Sequence, residues 1–165
     1  MTGAGTDELV AVHLLRLPVP IAARARQHFE ELMREFALVA AARESHDGDV
    51  DVPSRLMGLV DVLTSQFSSM TDEPEQRLAD AIDAGAEVID DHVMHLPPAA
   101  GPGSRALGEL LEEADAFCRD GQDLLTLATP DDCVVYREWY LSQVIDQVAG
   151  AAPVSWPDFQ ARIHP

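Results

Sequence analysis

Lysine is missing from this chain of 165 residues: all 11 basic side chains are arginine, set against 29 aspartates and glutamates, for a formal net charge of -18. Without an ε-amine there can be no Schiff-base catalysis, no pyridoxal phosphate attachment and no Walker-type phosphate lysine. Cysteine is scarce as well. Cys118 and Cys133 are too few for a disulfide framework, do not form a metal-binding pair by spacing, and read as small core hydrophobes. Long uncharged apolar runs are also lacking. The stretch from Leu9 to Ile21 follows Glu8 with no basic segment before it, and it contains Arg16, Pro18 and Pro20. Neither a signal peptide nor a transmembrane helix is expected, and the protein reads as cytoplasmic. The negative charge repels phosphate, which argues against nucleic acid and anionic membrane as direct partners. A basic protein patch would suit it better, although such a charge also serves solubility alone.

What is present fits an ordinary folded chain, with 47% apolar and 24% charged residues. Residues 1–8 are expected to be a loose tail and residues 9–165 one mainly helical domain. The branched apolar run at 9–17 predicts a strand. Ile21, Ala25, Phe29, Leu32, Phe36 and Val39 then recur at helical spacing, predicting a helix over 20–44. A second helix after Pro53 carries Leu56, Leu59, Val60, Leu63, Phe67 and Met70, and the run Thr71-Asp-Glu-Pro74 is expected to break it. Leu78, Ile82, Gly85, Ile89 and Val93 predict a third helix ending before Leu96-Pro97-Pro98. After a loop at 97–104, Ser104 is expected to cap a fourth helix that closes at Gly121. A second strand is expected at 124–128. A fifth helix, capped by Thr129 and led by Pro130, runs to Gly150, and the tail docks through Trp156 and Phe159. The fold class is therefore mainly α: a five-helix, bundle-like domain with a two-stranded β element formed by 9–17 and 124–128.

Few residues offer chemistry. His92 and His95, three apart on the expected third helix, are the nearest approach to a metal pair, but an ion needs a further oriented ligand and His92 falls on the apolar stripe. The Glu-x-x-His motif of paired-iron bundles is absent, and His13, His28 and His46 are scattered over strand, helix and loop. There is no Gly-x-Ser-x-Gly elbow, neither cysteine lies in a basic local setting that would favour thiolate, and Gly3 and Gly5 precede the first strand, which argues against a phosphate loop. No catalytic residue and no cofactor are expected. The fifth helix spreads Tyr136, Trp139 and Tyr140 towards a face of their own, beside Arg137 and Gln143. Aromatic rings with arginine are the usual material of interface anchors, so these residues are candidates for binding a partner protein or a second copy of the chain. The competing reading is that Trp156 and Phe159 cover them from within.

Several blocks resemble an uncharacterised actinobacterial family often encoded beside ATP-binding anti-sigma-factor kinases and their antagonists. They are Leu17-Pro18-Val19, His28 with Glu31-Leu32, Arg34-Glu35-Phe36-Ala37-Leu38, Leu124-Leu-Thr-Leu-Ala-Thr-Pro130 and Tyr136-Arg-Glu-Trp-Tyr-Leu141. The resemblance implies a cytoplasmic accessory in stress or sigma-factor signalling that binds a kinase or its antagonist, and it supplies no catalytic residues. The expected function is thus a non-enzymatic, regulatory protein-binding module. The alternative is a small metal- or ligand-binding helical bundle enzyme using His92 and His95.

Overall fold

A computed structural model describes residues 8–43, 52–119 and 129–164. Its elements run β1 (Val10–Pro18), α1 (Val19–Arg43), α2 (Val52–Asp83), β2 (Val88–Leu96), α3 (Ala100–Arg119), α4 (Asp131–Val148) and α5 (Trp156–Ile163). The fold is mainly helical with a small antiparallel two-stranded sheet. Among the described residues no helix is long and apolar enough to cross a membrane.

The partner of β1 is β2, in a segment whose spacing predicts helix; the expected strand at 124–128 lies outside the described residues. Two features of 85–96 explain the difference. Gly85 sits at φ 69°, Ala86 N–H bonds the Ala81 carbonyl, and Gly85 N–H bonds that of Ile82. This is a Schellman stop, which ends α2 with a glycine that otherwise reads as one small member of a helical stripe. Beyond it the chain also alternates at period two: His92, Met94 and Leu96 are buried while Asp91 and His95 are exposed.

The expected break at Thr71–Pro74 is absent, and α2 runs through it as one helix of 32 residues. Pro74 is buried. Its missing amide costs about 3 kcal/mol, which the packing of Met70 and Leu78 on either side helps to offset. Helix α3 begins at Ala100 instead of Ser104, taking Pro102 into its first turn where no amide is required. The docked tail adds α5, capped by the Ser155 hydroxyl accepting from Asp158 N–H.

In the sheet, Val12 lies opposite Met94 and Leu14 opposite His92, with Val12, Leu14 and Leu17 wholly buried. The inward phase changes at Arg16, a non-glycine residue at φ 59° whose guanidinium holds Asp90 at 2.9 Å. The free edge of β1 is closed by a side chain. The Gln147 Oε1 accepts from His13 N–H at 2.8 Å, and its Nε2 donates to the His13 carbonyl at 2.8 Å. Gln143 Oε1 then accepts from Gln147 Nε2 at 3.1 Å and from Val154 N–H at 2.8 Å. One pair of buried amides thus joins β1, α4 and the segment leading to α5.

The buried apolar residues form two clusters. One gathers the sheet, the start of α1, α4 and Trp156; the other gathers Leu32, Phe36, Leu56, Leu111, Ala114 and Cys118. Replacing Gln147 by leucine keeps volume but strands both backbone groups of His13, at about 1–3 kcal/mol each when desolvated. Urea denaturation of Gln147→Leu should show a loss of about 2–4 kcal/mol at an unchanged slope, and a loss under about 1 kcal/mol would mean that the edge is satisfied some other way.

Candidate functional site

The seam between the two clusters is open. A cavity of about 340 Å³ lies there, walled by Ala22, Ala25, Phe29 and Leu32 of α1, Leu107 and Leu111 of α3, and Cys133, Tyr136, Tyr140 and Leu141 of α4. Its polar residues include His28, Thr129 and Arg137, with Arg26 and Glu75 also on its wall. Mostly apolar walls with a few convergent polar groups are the usual make-up of a small-molecule site, and the volume is within the usual range.

The polar corner is a connected network. Asp115 is buried, and its Oδ2 accepts from the Arg137 guanidinium at 2.9 Å, the two side chains being 8% and 15% exposed. The Thr129 hydroxyl donates to Asp115 Oδ1 at 2.5 Å and lies 3.2 Å from His28 Nε2. Asp115 accepts from both Arg137 and Thr129, so the threonine proton points to it. The Thr129 oxygen then accepts from His28 Nε2–H. Thr129 also bonds Asp115 through its backbone N–H at 3.3 Å. It does not cap α4 as its position suggests: the cap residue is Pro130, without a side-chain bond.

Tyr140 closes one side of the cavity. Its hydroxyl donates to the Met94 thioether at 3.2 Å, a weak acceptor, and burial, helped by Glu75, pushes its pKa up to about 12. The Cys133 thiol on the wall is also pushed up, by burial first and then by Asp132. Cys118 is pushed up to about 11 by burial, with Asp115 and Glu35 adding to it. Neither thiol has thiolate character, so nucleophilic chemistry is not available from them.

The residues expected to bind a partner divide. Trp139 is wholly buried and Tyr136 nearly so. The Trp156 ring packs on them at 5.5 Å and 6.1 Å, Phe159 stacks on Trp156, and Trp139 Nε1–H donates to the Val154 carbonyl at 2.8 Å. The aromatic face is therefore covered by the chain's own α5, and these two rings are core instead of surface anchors. Arg137 and Tyr140 line the cavity, which Tyr136 also borders.

His92 and His95 do not meet. On a strand, three residues apart means opposite faces: His92 is buried against the sheet's inner side and His95 is exposed. Burial holds His92 below the usual histidine range, with Arg77 adding to the effect and Asp91 opposing it, and its Nδ1 has no partner among the described residues. His13 bonds Asp91 at 3.0 Å on the outer face, and His46 lies outside the described residues. Among the described residues no three histidine, cysteine or acidic side chains are grouped to hold a metal ion.

Comparison with protein-family models, curated proteins and solved structures finds no match for this chain. The case for the site rests on its geometry. His28, Thr129 and Asp115 carry no motif, yet one signal was readable: Asp115 follows Leu111 by four and precedes Cys118 by three, which puts a carboxylate on the buried stripe of α3.

A buried ion pair broken on one side strands a charge at a cost of about 3–5 kcal/mol. Arg137→Met should therefore destabilise the fold by about 3 kcal/mol in urea titration, and adding Asp115→Leu should recover most of that loss. Additive losses in the double variant would show that the two charges do not depend on each other.

Proposed function

We propose that the protein is a non-enzymatic, ligand-binding regulatory module that takes a small, mainly apolar molecule between α1, α3 and α4. The observation carrying this reading is the open seam itself, whose apolar walls converge on the buried Asp115–Arg137–Thr129–His28 network. Protein interiors normally close to crystal-like density, and a domain normally forms one contiguous core. Here the two clusters face each other across unfilled space. Burying an ion pair beside that space is costly, and such groups collect at binding sites.

The regulatory output is assigned to a cytoplasmic protein partner with a basic surface. The net charge of -18 and the exposed acids Glu109, Glu112 and Glu113 along α3 favour it. The sequence blocks that resemble the sigma-factor-associated family make an anti-sigma-factor kinase or its antagonist the partner to try first.

Titration with N-phenylnaphthylamine, a neutral fluorophore that brightens in apolar surroundings, tests the cavity. Wild-type protein should bind it saturably, and Ala25→Trp, which fills the seam from α1, should lower the affinity at least about tenfold, the equivalent of about 1.4 kcal/mol, with no loss of thermal midpoint. Equal binding by a folded Ala25→Trp variant would place the probe elsewhere and sink the proposal.

A further inference from the structure

A second cavity, of about 450 Å³, adjoins the first. Phe29, Glu75, Leu107 and Tyr140 border both, so the two share one wall, contributed by all four long helices. The far side of the second cavity is made by Val60, Leu63 and Phe67 of α2, Leu96 of β2 and Val144 of α4, with the exposed Thr64 and Asp72 at its rim. It too lies between the clusters: Phe67, Leu96 and Val144 belong to one and Val60 and Leu107 to the other. Both cavities are thus parts of one unfilled seam, pinched where Phe29, Leu107 and Tyr140 meet.

The pinch is weakly held on one side. Among the described residues the Tyr140 hydroxyl bonds only the Met94 sulfur, so turning the ring aside forfeits little hydrogen bonding. The arginines along the seam are already paired: Arg137 with Asp115, and Arg26 with Glu30 and Glu75. Among the described residues the basic side chains on the wall are thus already paired, Asp72 lies at the far cavity's rim away from the His28 corner, and the net charge of -18 disfavours the approach of an anion. What the corner does offer is a pair of hydrogen-bonding groups, the His28 imidazole and the Thr129 hydroxyl, 3.2 Å apart.

Resting on the ligand-binding reading above, we infer that the two cavities are the two ends of one site for an uncharged linear aliphatic amphiphile. Its hydroxyl head sits at the His28–Thr129 corner, and its chain runs past Tyr140 into the space beside Val60 and Phe67. The chain completes the core, joining two apolar clusters that the polypeptide alone leaves apart. Each methylene taken from water into such a space strengthens binding by about 0.8 kcal/mol, or roughly fourfold.

Displacement of N-phenylnaphthylamine by hexanol, octanol, decanol and dodecanol reads this directly. Wild-type affinity should rise by about fourfold per methylene through dodecanol, and dodecanoate should bind at least about tenfold more weakly than dodecanol, the equivalent of about 1.4 kcal/mol. Val60→Trp, which fills the second cavity alone, should leave hexanol unchanged and remove the advantage of decanol and dodecanol. Thr64→Trp at the exposed rim serves the same purpose should the interior variant fail to fold. An affinity that stops rising at octanol in the wild type, or the same chain-length slope in a folded filled variant, would confine ligands to the first cavity and overturn the inference. Dodecanoate binding as tightly as dodecanol would overturn the uncharged head group. Failure of every alcohol to displace the probe would instead remove the ligand-binding reading on which the inference rests.

Discussion

A two-stranded sheet buried against helices leaves strand edges whose amides need partners, and at β1 the side chain of Gln147 takes the place of a third strand. Its carboxamide offers one acceptor and one donor with the spacing of a peptide group, and it meets both backbone groups of His13 at 2.8 Å. That contact fixes the rotation of α4. Gln147, Gln143 and Trp139 follow one another at intervals of four and so lie on one helix face, which faces β1 and the chain before α5. With that face committed, Cys133, Arg137 and Leu141 form another row and Tyr136, Tyr140 and Val144 a third, and members of both reach the seam. The position of the candidate site follows from how the strand edge is closed.

The same constraint explains why the core does not close into one piece. The α4 positions that could fill the seam are taken by Arg137, tied to Asp115, and by Tyr140, tied to Met94. A well-packed pair of apolar residues in place of Arg137 and Asp115 would be at least as stable, on the general experience with buried ion pairs. The charged pair there is thus not required for stability as such, and it borders the space that the proposed function assigns to a ligand. On the proposed function, a ligand in the seam would add stability there.

The helical character of the chain was legible because α1, α3 and α4 carry apolar residues at helical spacing between proline and glycine signals. What misled the reading was ambiguity of period. Ile89 and Val93 continue the spacing of Leu78 and Ile82, while His92, Met94 and Leu96 alternate, and only the pairing with β1 decides between them. Pro74 misled for another reason: a single lost amide was outweighed by tertiary packing along a 32-residue helix. Of the site, Arg137 and Tyr140 were legible as functional residue types, but their direction was not, because the ring of Trp156 that covers Trp139 comes from a segment with no helical signal long enough to orient it. Thr129 looked like a cap because its local neighbours suit one; its bonds to Asp115 and His28 span 14 and 101 residues and leave no trace in spacing.

Central to this account is a preformed, mainly apolar seam between two core clusters. Xenon enters apolar cavities without needing a hydrogen-bonding partner, so it reports empty space directly. A crystal of the free protein pressurised with xenon should show bound atoms on both sides of Tyr140, one beside Ala25 and Leu111 and one beside Val60 and Phe67. Diffraction showing no xenon there, with Phe29, Leu107 and Tyr140 collapsed into a single continuous core, would contradict it.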